Sequence, residues 1–262
     1  MIRYFRLLLL YLRVSIQHDA AYRFDFAVRV LVSLAHLAAE LMAVWIIFSN
    51  TDSLNGWGVY HTLALLGVYR VMIGTITLVV APNMRQTMEE IRHGTFDFVL
   101  LRPASSQFLA SFRKIVLWQL TDILLGMSLA GYATVRLLGT MPPERVGLFL
   151  LMVSAAAAIV YSIWLIVATS SFWFTRIANI EMVFWNVFEV GRYPVAVYPP
   201  WLRWMLTFVL PMAFVTTFPA QTLVGRLPGA MVWTALVLAP AMVAAASWFW
   251  RFGIRRYSGA SA

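Results

Sequence analysis

Among the ionisable side chains in apolar runs long enough to enter a bilayer, His36, Glu40, Arg70, Asp122, Glu181 and Glu189 are the candidates for chemistry. Charge is expensive in hydrocarbon, so groups placed there either pair with one another or line a route for something polar. In runs starting at about Phe26 and Tyr60, Glu40 lies about 21 Å from one end and Arg70 about 15 Å from the other, at 1.5 Å per residue. Across a core of roughly 30 Å their depths differ by about 6 Å, which predicts a Glu40 to Arg70 pair locking two neighbouring helices. His36, one helical turn before Glu40, belongs on this reading to the same polar seam and not to a metal site. Asp122, beside Thr121, faces either a transport path or another helix, and the pattern does not choose. Glu181 and Glu189 share roughly one helical face with Asn186 between them in sequence. Either they line a polar path, or Glu181 sits at an interface and Glu189 pairs with Arg192 near the outer end.

A second group lies in the longest polar stretch, Pro82 to Arg102 (PNMRQTMEEIRHGTFDFVLLR). Pro82 suits a first helical turn and Gly94 the position just after a helix end. Between them Met84, Met88 and Ile91 recur on one face while Arg85, Glu89 and Arg92 share another. The spacing predicts an amphipathic helix of about three turns, Pro82 to His93. The following TFDFVLLRP reads as an extended connector, because the residue before a proline is biased away from helix. Such a segment is either a solvated loop with an interfacial helix or a docking helix for a soluble partner.

Other chemistries lack their residues. With no cysteine among 262 residues, neither disulfides nor thiolate metal sites can form. The chain carries no GxxxxGK[ST], HExxH or GxSxG pattern. A formal net charge of +9 would point a soluble chain toward nucleic acid, but the arginines flank apolar runs, as in membrane proteins whose basic loops stay in the cytoplasm.

The elements that must position these residues are membrane spans. The chain is 61% hydrophobic and 12% charged, with mean hydropathy +0.78, outside the range of soluble domains. Residues 1–25 are expected to form an amphipathic interface helix, with Arg3, Arg6, Arg13 and Gln17 in one quadrant, and not a signal peptide, since the apolar core Leu7 to Leu12 is too short. Spans are predicted at about Phe26 to Phe48, Tyr60 to Val80, Phe108 to Leu138, Val146 to Phe174 and Gly229 to Trp250. Basic residues in the N-terminal arm, at Arg85 to Lys114 and at the C-terminus place all three segments in the cytoplasm, which requires an even number of crossings. Residues 177–227 therefore hold one more span, either Ile177 to Val197 followed by a broken outer hairpin, or Trp201 to Pro219 after an interfacial helix. Hydropathy favours the second. Trp201, Trp204, Trp233, Trp248 and Trp250 read as interface anchors.

Gly94, Asp97, Phe98, Leu100, Leu101, Arg102, Pro103, Ser105 and Phe108, standing as GxxDFxLLRPxSxxF after two spans, resemble the first cytoplasmic loop of ABC transporter type-2 permeases. Tyr193 to Gly225 (YPxxxYPxWLRxxLTxxLPMAFxxxFPAxxLxG) is similar to the block those permeases carry between their last two spans, where a re-entrant hairpin dips in from outside. The resemblance implies an all-α polytopic fold of one domain with six transmembrane helices, residues 82–104 as a cytoplasmic coupling segment and 198–227 as a re-entrant outer segment, which selects the first parse of 177–227. It further implies an exporter's permease subunit in a bacterial inner membrane, with no catalysis and no cofactor of its own. ATP and Mg would sit on a separate cytoplasmic ABC ATPase dimer, and a second copy or a sister permease would complete the path, heteromer favoured. Met84, Met88 and Ile91 would then anchor in the ATPase, Arg85, Glu89, Glu90 and Arg92 would set register, and Gly94 and Asp97 would belong to the same coupling site. A channel or secondary transporter would need inverted repeats, and a membrane enzyme would need a polar catalytic cluster; neither is visible.

Overall fold

The computed structural model describes residues 2–21, 23–140, 142–174 and 178–257, and it is helical nearly throughout. A first helix, α1 (Ile2–Ala21), exposes Phe5, Leu9, Leu10, Val14 and Ile16 together with its arginines. It leads into α2 (Arg23–Asn50), a span whose sides are mostly exposed. A loop over 51–58 then leads to α3 (Val59–Thr75), a π-helical turn at Ile76–Val80, and α4 (Ala81–Arg92).

These last three pieces form one run of 34 residues, Val59–Arg92. The expected free-standing helix at Pro82 to His93 is thus the projecting end of the second span. Proline at the start of α4 did not break the run because the π turn absorbs its missing N–H: the Leu78 carbonyl that Pro82 would have bonded accepts the Val116 N–H at 2.9 Å instead. At the other end the helix stops where expected. Gly94 takes φ +71°, its N–H donates to Ile91 O, and Thr95 N–H donates to Glu90 O, the paired bonds of a Schellman cap.

The expected extended connector is instead a compact turn carrying α5 (Asp97–Leu100). Phe96 is fully buried against Phe172, Trp250 and Tyr257, and that anchor winds the neighbouring residues back toward α4. The proline bias acts only on its immediate neighbour, Arg102, which lies outside the helix. Trp250 is accordingly a core residue and not an interface anchor, whereas Trp201, Trp204, Trp233 and Trp248 are exposed.

The third predicted span is broken. α6 (Ser106–Phe112) and α7 (Leu120–Leu138, extended by a 3-10 turn at Leu117–Gln119) meet at 65°. α7 packs along α3 with backbone nearly touching backbone: a Cβ on Gly67 would meet Gly126 O at 2.6 Å, and one on Gly126 would meet Gly67 O at 2.6 Å. α8 (Pro143–Ser170) is one unbroken helix that packs along α12 (Gly229–Arg256).

Between them lies α9 (Ala178–Val190), only 13 residues or about 20 Å. The predicted start of this span at Ile177 lies outside the described residues. Glu181 on α9 is ion-paired with Arg85 on α4, and Ala196 O accepts from Asn55 in the 51–58 loop, so residues 181–196 run from one end of the bundle to the other. α10 (Pro200–Trp204) and α11 (Phe218–Leu223), each continued by a π turn, form a second bent pair at 77°. That pair leaves from beside the 51–58 loop and returns there, since Arg226 donates to Gly56 O at 2.8 Å. Among the described residues, four helices are long and apolar enough to cross a membrane, or up to six if each bent pair counts as one span.

Candidate functional site

Arg70 is the centre of the charged seam. Its side chain is 4% exposed; Nε donates to Glu40 at 2.7 Å and Nη1 to Asp122 at 2.6 Å. Ser33 Oγ donates to the same Asp122 oxygen. The predicted Glu40 to Arg70 pair is therefore present, and Asp122, which the sequence left undecided, joins it as an interhelical contact. Three helices, α2, α3 and α7, are locked through one guanidinium. A charge buried to this degree is tolerable only because both flanking carboxylates are within bonding distance.

The seam continues toward α9. Arg192 bonds Glu189 at 2.9 Å and approaches Glu40 at 3.7 Å, lying over the Tyr69 ring at 5.4 Å, while Tyr69 OH donates to Glu189 at 3.3 Å. The Glu189 to Arg192 pair is as expected, but it joins the same charged cluster as Arg70 instead of standing apart at an outer end. Three carboxylates and two guanidiniums thus meet where α2, α3, α7 and the turn after α9 converge. Beside them a cavity of about 140 Å³ is walled by Glu40, Thr62, Leu66, Arg192, Tyr193 and the α2 face around Ala43. His36, by contrast, is exposed and takes no part in these bonds, although i and i+4 residues share a helix face: the α2 groups that enter the seam are Glu40 and, two turns before it, Ser33. Glu181 and Glu189 do not form a common path. Glu181 is held by Arg85 and by Trp185 Nε1, Glu189 by Arg192, and Asn186 is exposed.

The second candidate, around α4, is turned relative to expectation. Met84 is fully buried, Ile91 is buried, and Met88 packs partly buried against the same core. The apolar face of α4 therefore packs on this chain's own interior. Glu90 is likewise engaged, accepting both Nη1 and Nη2 of Arg113 at 2.9 and 2.7 Å and Gln86 Nε2 at 3.0 Å. Arg85 is committed to Glu181. What remains outward is Glu89 and Arg92 on α4 and the capping residue His93, with Phe98, Leu101 and Arg102 just beyond. Phe98 is 67% and Leu101 80% exposed, a strong signal for large apolar side chains on a turn fixed by the buried Phe96. Asp97 is half-buried; burial first, and then this carboxylate, raise the Tyr257 phenol above its ordinary value.

Sequence reasoning missed Asn83. It is 1% exposed, its Nδ2 donates to Val79 O and Lys114 O, each at 2.6 Å, and its Oδ1 accepts the Lys114 N–H at 2.8 Å. An asparagine one residue past a proline in an otherwise apolar run was the available signal, since a buried amide must find partners. Among the described residues no group of three or more His, Asp or Glu is placed to hold a metal.

These features define a multi-pass helical membrane protein whose charged groups knit its helices together. The model of the ABC-2 family transporter protein family matches residues 34–261, which is most of the chain, and the protein belongs to that family. It is accordingly a membrane transport component, a permease, and proteins of this kind generally work with ABC ATPases. No curated protein matches the chain.

Proposed function

We propose that this chain is the permease subunit of an ABC exporter, and that a separate ATPase docks on the surface formed by the outward edge of α4 and the α5 turn. The observation that carries this reading is the exposed pair Phe98 and Leu101, flanked by Glu89, Arg92 and Arg102 and held on a rigid turn at the projecting end of a span. The run Val59–Arg92 of 34 residues is about 51 Å long at 1.5 Å per residue, so about 20 Å of it extends beyond a hydrocarbon core of roughly 30 Å. An apolar pair ringed by charges, with the backbone already ordered, is what a stable interface needs at its centre and rim.

On this reading six segments cross: α2, α3, the broken α6 and α7, α8, Ala178–Val197 and α12. Residues 200–223 dip in from the outer face and return to it. The support is that this bent pair begins and ends beside the 51–58 loop, whereas Glu181 meets α4. Both termini and α4 then lie in the cytoplasm of a bacterial cell, with the chain in its inner membrane. ATP and Mg belong to the ATPase dimer. A second copy or a sister permease completes the path.

The test is co-expression with the ATPase, followed by co-purification and vanadate-sensitive ATP turnover. Phe98→Asp and Leu101→Asp should abolish co-purification while leaving the purified permease as thermally stable as the parent. Retained co-purification in the double variant would overturn the docking surface; no turnover with any ATPase would overturn the exporter reading.

A further inference from the structure

Four contacts zip α4 and the π turn before it to the segment that precedes α7. Leu78 O accepts from Val116 N–H at 2.9 Å, Asn83 holds the Lys114 backbone by both its N–H and its carbonyl, Thr87 Oγ1 donates to Ala110 O at 3.3 Å, and Glu90 takes the Arg113 fork. The three contacts to its backbone run in opposite directions, 78, 83 and 87 against 116, 114 and 110, so the segment lies antiparallel to this stretch over about two to three turns, and the Arg113 side chain reaches past them to Glu90. Residues 113–116 are also where the α6 and α7 pair bends by 65°. Their backbone is irregular, and Asn83, itself buried, supplies partners that a helix would have provided.

On the other side of α4 the connection to α3 is softer. The intervening π turn at Ile76–Val80 replaces regular hydrogen bonds with a wider ring, and Pro82 removes one more donor. α4 is therefore fastened sideways to the start of α7 by side chains and backbone together, and lengthwise to α3 through a weakened ladder.

We propose that Asn83 is a positioning residue that makes a coupling joint of α4 and residues 113–116, so that displacement of α4 is handed first to the inner end of α7. This rests on the reading of α4 as the segment that an ATPase moves. The consequence is mechanical: α4 and the lower half of α7 move as one body, and the change in shape occurs between that body and the α8 and α12 pair. Arg70 then carries the motion onward to α2, because Asp122 in the first turn of α7 is one of its two partners.

The chain has no cysteine, so paired spin labels can be placed without background. One pair reports within the proposed body, His93→Cys with Leu124→Cys; the other reports across it, His93→Cys with Trp248→Cys, all three sites being exposed. In the complex with its ATPase, vanadate trapping should shift the second distance by about 2 Å or more, the scale of helix shifts in switching proteins, and leave the first unchanged. Asn83→Ala should make the first distance broad already in nucleotide-free permease and nucleotide-dependent in the complex, while ATPase co-purification persists. Glu90→Gln, whose side chain lies near the surface end of the joint, should do the same more weakly and guards against misfolding of the Asn83 variant. A first distance that shifts in the parent as much as the second, or stays narrow in both variants, overturns the joint. Loss of nucleotide response at every pair, with the nucleotide-free broadening still present, would count against the ATPase reading instead.

Discussion

Arg70 Nε donates to Glu40 across 2.7 Å, and the other arm of the same guanidinium holds Asp122 at 2.6 Å. One side chain therefore bonds carboxylates from two different helices, and its loss leaves Asp122 with Ser33 alone and Glu40 with only the more distant Arg192 at 3.7 Å. Arg70→Gln is expected to destabilise the solubilised protein by about 3–5 kcal/mol, the usual effect of breaking a buried pair. Adding Glu40→Gln and Asp122→Asn to that variant should restore much of the loss, since uncharged groups no longer need a counterion. Thermal unfolding in detergent, followed by tryptophan fluorescence, checks both steps; no recovery in the triple variant would contradict this account.

The α3 and α7 contact leaves no room for a side chain at Gly126, where a Cβ would meet Gly67 O at 2.6 Å and Val71 N at 2.7 Å. Both neighbours are helix backbone and cannot step aside. Gly126→Ala should therefore cost about 1–3 kcal/mol through overpacking, more than the modest gain in helix propensity from replacing glycine. Gly131→Ala on the same helix, with nothing within 4 Å of its Cβ, should be neutral or slightly stabilising, and the pair compared in one melting experiment isolates the contact.

Two substitutions on neighbouring segments should fail in opposite ways. Met84→Ala, at a fully buried position, should lower stability by about 2–5 kcal/mol through the cavity it leaves, with any ATPase still bound by the surviving folded fraction. Leu101→Asp, at 80% exposure, should leave the melting curve in place but weaken ATPase capture by tenfold or more, about 1.4 kcal/mol. If Met84→Ala instead abolished capture at full stability, the anchor face of α4 would be external after all.

Gly94 holds φ +71° at the end of α4. Gly94→Ala is expected to cost about 1–2 kcal/mol, the penalty for an L-residue in the left-handed region. Since that turn also aims Phe98 and Leu101, the substitution should weaken ATPase capture as well as stability, whereas Gly139→Ala, at a similar φ of +74° in a connection remote from α4, should affect stability alone.

Much of this was readable from the chain. The helix stop at Gly94 is a local matter, because only glycine takes that φ cheaply. The Glu40 to Arg70 pair follows from depth alone, because a buried charge without a partner does not persist. Length and apolarity marked α2, α3, α8 and α12 as membrane helices. Tertiary structure decided the rest. The pattern Met84, Met88, Ile91 shows that α4 has an apolar face, but periodicity is the same whether that face meets a partner or the chain's own interior, and only the packing of Phe96 and α8 nearby settles which. The break at 113–116 was invisible for a related reason: hydropathy sums over residues and takes no account of backbone carbonyls, and it is Asn83, 31 positions away from Lys114, that makes an unwound segment tolerable there. Asp122 and Arg192 were placed by neither depth nor period, since joining one cluster depends on how α7 and the turn after α9 lie against α3. Local rules act within a few residues; these contacts link groups 30 to 120 positions apart, and only the folded chain brings them together.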